Sequence, residues 1–288
     1  MAELIITDVN GKESIFNSKS EKCISDSEFS NRNDIQKIII PEGIVIIDDD
    51  AFEYCQSLEE ITLPQSLLEI ATGAFKGCSK LKKITLPTYL RHIGLKAFKS
   101  TGLKIVSVRT CEAKNEPEVD EFCYPKISHD AFTDCIDLTE VTIPDNIIWI
   151  EDNAFHNCPK LKKVTFPPSL YSIGSFCFSG CALKEVTFPE TLIRINIGAF
   201  SDNQSLEEII LPRSLKKIGD SAFARSGLKK VSFSASTDKA ITDKELLISK
   251  SAFNDCKFLE EFTFPKEDKK PDFFILQNCP NLKHIFIE

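Results

Sequence analysis

The amino-acid sequence predicts a β-rich solenoid of stacked repeats, and three observations indicate this fold class. A segment of 22–23 residues recurs along the 288-residue chain, phenylalanine occurs 22 times against a single tryptophan, and most of the 11 cysteines fall at one place in the repeat. A period of this length with one short strand per unit is typical of solenoids. Each unit in such a fold buries its apolar side chains only against its neighbours.

The repeat is clearest in residues 58–80, LEEITLPQSLLEIATGAFKGCSK, and in residues 138–160, LTEVTIPDNIIWIEDNAFHNCPK. The shared template is L-x-x-I-T-L-P-x-x-L-x-x-I-x-x-x-A-F-x-x-C. We predict an N-terminal cap with a half repeat over residues 1–34, ten repeats over 35–281 and a terminal strand over 282–288. Two repeats are longer, with insertions near residues 109–126 and 234–247.

Each part of the template predicts one element. In the first part, Ile61 and Leu63 alternate with Glu60 and Thr62, the period of two expected of a strand. Pro64 has no N–H for a ladder and ends that strand. The L-x-x-I part returns across the core as a short strand or turn, and A-F-x-x-C closes the coil. The fold class is therefore a leucine-rich-repeat solenoid with parallel strands on one face and short strands or turns on the other.

The phenylalanine of the A-F pair is predicted to point inward in every repeat and to stack at about one strand spacing, ~4.8 Å. This phenylalanine column consists of Phe52, Phe75, Phe98, Phe132, Phe155, Phe178, Phe200, Phe223 and Phe253.

The cysteines form a second column, for which three interpretations exist. They can be small buried side chains that cap the turn, disulfides between neighbouring repeats, or a metal ladder. The first is favoured because Thr101, Asn203 and Ser226 replace cysteine there and no C-x-x-C pair occurs, so we expect no metal and no cofactor. Asn203 also begins a glycosylation sequon that this inward position predicts to be silent. The column consists of Cys55, Cys78, Cys135, Cys158, Cys181, Cys256 and Cys279.

The template, with its Ile-Pro and Ala-Phe-x-x-Cys signatures, resembles the BspA-like leucine-rich-repeat family over roughly residues 35–281. The resemblance implies a curved solenoid that binds rather than catalyses. It also implies a role as a surface antigen or adhesin for host matrix proteins and cells.

Composition and motifs exclude several other functions. The formal net charge of −8 argues against a nucleic-acid partner, which requires a concentrated basic face. No apolar run is long enough to span a bilayer and no secretory signal is visible, which indicates a cytoplasmic location, whereas the resemblance implies the cell surface or secretion. No catalytic motif appears, so we expect no enzyme. We interpret the four histidines as exposed or hydrogen-bonded polar residues: His92, His129, His156 and His284.

Two outward columns line the predicted strand layer. One alternates in charge between repeats, from Lys37 and Glu60 to Lys230 and Glu261, and is either a self-compensating solvated face or a docking surface. The other should be exposed, and Ile39 and Ile210 interrupt it. It otherwise consists of Thr62, Thr85, Ser107, Thr142, Thr165, Thr187, Ser232 and Thr263.

A partner site is predicted around Trp149, which lies in an otherwise polar column with Arg194 and Lys217. Either Trp149 is exposed and forms an apolar patch with its neighbours, or a tilted repeat buries it. The predicted partner-binding residues are Trp149, Ile148, Tyr171, Ile193, Phe122 and Tyr124.

The insertions and the chain end offer further contacts. The insertion at 109–126 is acidic, and both insertions should protrude from one edge as binding loops or as tolerated drift. Cys111 and Cys123 could pair in an oxidising compartment. The terminal strand over 282–288 could pair with another copy. The expected partner is a protein, such as a host surface or matrix protein.

Overall fold

The computed structural model describes residues 2–109, 124–235, 246–265 and 273–287, and over these residues the chain is a β-solenoid of about ten turns. This confirms the predicted fold class. Parallel strands line both long sides of the coil, because each turn contributes a strand from the first part of the template and a second from its L-x-x-I part. A short 3₁₀ helix, Phe273–Leu276, lies near the C-terminal end.

One side of the solenoid carries three successive four-stranded sheets. The N-terminal sheet contains β1 (Glu3–Asp8), β2 (Glu13–Asn17), β4 (Ile35–Ile39) and β6 (Glu60–Thr62). The antiparallel hairpin of β1 and β2 adds to the first parallel strands, in the order β2-β1-β4-β6. The middle sheet has β8 (Lys83–Leu86), β10 (Ile105–Val108), β12 (Glu140–Thr142) and β14 (Lys163–Thr165). The C-terminal sheet has β17 (Glu208–Leu211), β19 (Lys230–Phe233), β21 (Glu261–Phe264) and β22 (His284–Ile287).

The opposite side is a ten-stranded parallel sheet of two-residue strands. In each strand the second residue points inward: Ile150 is 1% exposed, whereas Trp149 before it is half-buried. The strands are β3 (Cys23–Ile24), β5 (Ile46–Ile47), β7 (Glu69–Ile70), β9 (His92–Ile93), β11 (Lys126–Ile127), β13 (Trp149–Ile150), β15 (Ser172–Ile173), β16 (Arg194–Ile195), β18 (Lys217–Ile218) and β20 (Leu247–Ile248).

The phenylalanine column forms the core between the two sides, as predicted. From Phe29 to Phe253 neighbouring rings stack nearly parallel, with centroids 4.9–5.3 Å apart and interplanar angles of 4–14°. Phe16 meets Phe29 edge-on at 4.8 Å, and Phe262 meets Phe253 edge-on at 5.0 Å. Edge-on pairs also occur along the column, where Phe166 meets Phe178 at 5.6 Å and Phe188 meets Phe200 at 5.5 Å.

The coil closes through a left-handed residue just before each column cysteine or its replacement. Tyr54 (φ 54°), Asp134 (φ 61°) and Asn157 (φ 56°) adopt this conformation, and Gly77 takes φ 74°. Asn and Asp tolerate it better than most residues because their short side chains bond locally, and glycine carries no steric penalty.

The outward threonine column is less exposed than expected. Thr62, Thr165 and Thr187 are exposed, but Thr263 is only 6% exposed. The half-buried members are Thr85, Ser107, Thr142 and Ser232. The ladder places Thr263 opposite Phe286 of β22, whose large side chain lies beside it.

Candidate protein-binding surface

The cysteine column is a hydrogen-bonded ladder of free thiols, which confirms the favoured interpretation. The Sγ of Cys55 donates to the carbonyl of Phe29 at 3.0 Å, Cys78 to that of Phe52 at 3.1 Å, and Cys181 to that of Phe155 at 3.4 Å. The same contact recurs at Cys135, Cys158, Cys256 and Cys279. All nine cysteines in the described part of the chain are free.

Burial raises the pKa of the Cys55 and Cys135 thiols to about 11 and that of Cys181 to about 12, which keeps them protonated. Cys256 differs, because its hydrogen bond with Cys279 lowers the pKa of its thiol. Metal ligation and disulfide exchange both require the thiolate. Within the described residues no group of three or more His, Cys, Asp or Glu side chains could hold a metal ion. The column therefore has a structural role. Cys111 and Cys123, which were predicted to be able to pair, lie outside the described residues.

Asn203 takes the place of a cysteine in the column and, like the cysteines, donates hydrogen bonds to backbone carbonyls. Its Nδ2 donates to the carbonyls of Phe178 and Phe200 at 2.8 and 3.0 Å, and its Oδ1 accepts from the N–H of Leu183 at 3.3 Å. The side chain is fully buried. An amide held in this way is inaccessible for glycosylation, in agreement with the silent sequon.

The charged column on the three-sheet side forms ion pairs between neighbouring turns. Lys37 meets Glu60 at 3.0 Å, Lys163 meets Glu140 at 3.0 Å, and Lys230 meets Glu261 at 3.1 Å. These pairs favour the interpretation of this side as a self-compensating solvated face, because six of its charges pair within the chain. Surface pairs of this kind contribute about 0–1 kcal/mol each.

The ten-stranded sheet carries the predicted partner residues that the structure describes. The backbone N–H of Tyr171 donates to the Ile148 carbonyl at 2.8 Å, and that of Ile193 to the Tyr171 carbonyl at 2.9 Å, so the three lie in one column beside Trp149. The Tyr124 ring lies 4.9 Å from the Trp149 ring at a tilt of 39°. We call these residues the aromatic patch: Tyr124, Ile148, Trp149, Tyr171 and Ile193. Phe122 lies outside the described residues.

The patch is partly open to solvent. Tyr124 is 58% exposed and Tyr171 38%, while Ile148, Trp149 and Ile193 are half-buried. Trp149 stays in register with Lys126 on one side and Ser172 on the other. Trp149 is thus neither fully exposed nor fully buried, and its indole rests against the Tyr124 ring.

Polar groups line a shallow cleft of about 240 Å³ beside Trp149 and Tyr171. Glu151 contacts two side chains there: Lys126 Nζ lies 2.9 Å from its Oε1 and His129 Nε2 lies 3.5 Å from its Oε2. Sequence reasoning missed Glu151 and His129, because they fall two or more positions after the Trp149 column and match no motif.

Two exposed cations extend the surface. The ladder continues from Trp149 through Ser172 to Arg194 and Lys217, each one strand spacing further, ~4.8 Å. In the described ranges neither Arg194 nor Lys217 forms an ion pair, unlike Lys126. We call Arg194 and Lys217 the basic flank.

A hydrogen-bonded relay spans β7, β9 and the end of β11, on the N-terminal side of the aromatic patch. His92 Nδ1 is 3.0 Å from Glu69 Oε1, and His92 Nε2 is 2.9 Å from Ser128 Oγ. The order carboxylate–imidazole–hydroxyl is that of a nucleophilic triad. Ser128 is only 6% exposed, however, so its hydroxyl offers almost no surface to a substrate. The relay therefore has the features of a structural polar link between three turns.

Of the other three histidines, His129 and His284 are exposed or contact a polar group as predicted, and His156 is the exception. His129 meets Glu151, and His284 is exposed on β22. His156 contradicts the expectation, because its Nδ1 is buried and has no hydrogen-bond partner among the described residues.

The described part of the chain includes no helix that is long and apolar enough to cross a membrane.

The strands, the template and the inward phenylalanines define a leucine-rich-repeat solenoid. The BspA type leucine rich repeat region matches in six copies over residues 10–116, 125–244 and 237–288, and the chain belongs to this family. No curated protein matches the sequence.

Several solved structures are similar to the chain. A leucine-rich repeat protein from Bacteroides ovatus is 22% identical over 97% of this chain and 84% of its own, with a TM-score of 0.42. The pneumococcal vaccine antigen PcpA is 26% identical over 83% of this chain and 58% of its own, with a TM-score of 0.47. A leucine rich cell surface protein from Faecalibacterium prausnitzii is 17% identical over 100% of this chain and 95% of its own, with a TM-score of 0.38.

Proposed function

We propose that this protein is a non-enzymatic protein-binding module that mediates adhesion to a host surface or matrix protein. The partner docks an acidic segment with an apolar anchor on the ten-stranded sheet, over the aromatic patch and the basic flank. Membership of the BspA-type family supports a binding role. Catalysis has no comparable support, because the triad-like relay of Glu69, His92 and Ser128 has a buried hydroxyl.

The main support is the aromatic pair of exposed Tyr124 and half-buried Trp149. Aromatic side chains with one solvent-facing side supply large contact area at low entropic cost, and they dominate binding energy at interfaces. The two rings already pack against each other at 4.9 Å, so little ordering is needed on binding. Such a preformed anchor suits an apolar side chain of the partner.

The charge of the partner follows from the basic flank. Arg194 and Lys217 lie two and three strands from Trp149, about 10 and 14 Å away at the usual strand spacing. Arg194 in particular presents a planar fork that matches a carboxylate. An extended segment of about five residues spans this distance, with an apolar residue at one end and acidic residues at the other.

The test uses Trp149 as its own reporter, because it is the single tryptophan of the chain. Titration with the peptide Phe-Glu-Asp-Glu-Phe-Glu should shift or quench the Trp149 emission, and the shift should weaken as salt rises. Trp149→Phe has no tryptophan and therefore gives the background fluorescence of the protein and the peptide. The double variant Arg194→Glu/Lys217→Glu should bind the peptide at least tenfold more weakly.

Two controls decide the result. The peptide Phe-Lys-Lys-Lys-Phe-Lys should not change the emission, and Ile210→Ala, an exposed position on the other side of the solenoid, should bind like the unmodified protein. Equal affinity for the acidic and basic peptides, or unchanged affinity in the charge-reversed variant, would rule out this docking mode.

A second candidate function is an intracellular scaffold for protein–protein interaction. The thiol ladder favours it, because seven column cysteines act as protonated donors and so require reduced sulfur. Thiol titration of freshly isolated native protein, together with surface biotinylation of the source cells, separates the two. Surface-labelled protein supports adhesion, whereas fully reduced and unlabelled protein supports the scaffold.

A further inference from the structure

Three isoleucines cross the outward face of the N-terminal sheet and remain exposed. Ile15 on β2 is 66% exposed, Ile5 on β1 is 41% and Ile39 on β4 is 45%. The ladders place Ile5 directly opposite both Ile15 and Ile39. Side chains opposed in this way lie within contact distance, so the three form one continuous apolar band, the isoleucine stripe.

The repeat does not require this stripe. At the matching outward positions the middle sheet has Thr85, Ser107 and Thr142, which are small and polar. The hairpin of β1 and β2 precedes the repeats and still continues the apolar band toward the end of the solenoid. Terminal repeats of soluble solenoids generally present a polar outer face, so an apolar one indicates a contact.

The strand that ends the sheet is also open for pairing. β2 is the first strand in the order β2-β1-β4-β6, and its outer edge meets no strand among the described residues. An edge of this kind presents a row of backbone N–H and C=O groups that can template another strand. Ile15, the most exposed member of the stripe, lies at the centre of this edge strand.

We propose that β2 pairs with β2 of a second copy, antiparallel, so that the two chains form a two-fold dimer through their N-terminal sheets. The two-fold register centres on Ile15, which then faces Ile15 of the second copy. Glu13 faces Asn17 of the second copy, and no like charges are opposed within the strand. The isoleucine stripe continues without a break across six strands, and the two N-terminal sheets become one sheet of eight.

The two-fold dimer is favoured over a head-to-tail contact, in which β2 of one copy would pair with β22 of the next copy. In the head-to-tail register that sets His284 beside Glu13, Lys12 would lie beside Lys283, which opposes two like charges. A head-to-tail contact would also continue into a filament, whereas the two-fold contact closes at the dimer. The antiparallel ladder is slightly more stable per residue than a parallel one.

The first experiment measures mass in solution. Light scattering of the full chain should give twice 32.4 kDa at micromolar concentration. Ile15→Lys places two ammonium groups on the two-fold axis and should raise the dimer dissociation constant by about a hundredfold or more. Ile210→Lys is the matched control, because Ile210 is 60% exposed on β17, and it should remain dimeric. Melting curves check that both variants fold.

The second experiment tests the register. Opposed residues in an antiparallel pair have Cα atoms about 4.5–5.5 Å apart, which is within disulfide reach. Ile15→Cys should therefore form a covalent dimer with copper phenanthroline as oxidant. Ile5→Cys should not, because the two cysteines would lie three strand spacings apart, about 14 Å.

The outcomes separate the arrangements. A mass of 32.4 kDa at all concentrations, or an equal loss of dimer in both lysine variants, overturns the proposal. Cross-linking between Ile15→Cys and Phe286→Cys chains, without Ile15→Cys homodimers, would show the head-to-tail contact instead. The dimer does not depend on the proposed function, because the N-terminal sheet shares no residue with the aromatic patch.

Discussion

Replacement of Phe155 by alanine tests whether the phenylalanine column holds the solenoid together. Phe155 is fully buried and stacks on Phe132 at 4.9 Å and on Phe178 at 5.1 Å. Loss of about 150 Å² of buried apolar surface costs about 4 kcal/mol. The two lost ring contacts add about 0.5–1.5 kcal/mol each, while partial collapse of the cavity lowers the total. We expect a loss of ~3–5 kcal/mol in the free energy of unfolding.

The assay is urea unfolding followed by far-UV circular dichroism, with Trp149 fluorescence as a second probe. Phe258→Ala is the matched control, because Phe258 is 52% exposed and lies outside the column; its loss should stay below about 1 kcal/mol. If Phe155→Ala unfolds at the same urea concentration as Phe258→Ala, the column does not carry the stability of the core.

Three further predictions concern the polar links between turns. Asn203→Leu leaves the buried carbonyls of Phe178 and Phe200 without their donor and should cost about 1–3 kcal/mol; urea unfolding that matches the unmodified protein would contradict this. Cys158→Ala removes the thiol that donates to the Phe132 carbonyl at 3.3 Å and should cost about 1–2 kcal/mol in the same assay, whereas Cys158→Ser should recover part of it. The hydrogen bond from His92 holds the pKa of Glu69 below its ordinary 4.5, so Glu69 stabilises the fold above that pH and loses the contribution as pH falls further. The difference in unfolding free energy between the unmodified protein and Glu69→Gln should therefore be constant above about pH 5 and should shrink in more acidic solution. It should be at most about 1 kcal/mol, because Glu69 is partly exposed. A difference that grows on acidification would contradict the predicted direction of the pH dependence.

The sequence alone predicts the parts of the fold that the template repeats. Phe52 and Cys55 occupy fixed places in a unit that recurs, and a side chain that recurs in register must meet its own copy in the next turn. The inward column and the thiol ladder followed from this constraint. The second sheet was less certain, because its strands are two residues long and two residues cannot establish a period.

The features that the sequence did not predict depend on residues outside the repeated template or on contacts between different template positions. Tyr124 precedes its strand at the end of an insertion, so spacing gave no reason to place its ring on Trp149. The relay joins His92 to Ser128, which occupy template positions two residues apart in neighbouring turns. The isoleucine stripe depends on an antiparallel hairpin that has no counterpart in the repeats.

Hydrogen exchange of the full chain bound to a purified extracellular-matrix glycoprotein tests the proposed function most directly. The account predicts added protection at the backbone amides of Trp149, Tyr171 and Arg194, with no change along β8, β10 and β12 on the opposite side. Protection confined to those three strands, or no saturable binding to any member of a panel of such glycoproteins, would contradict it.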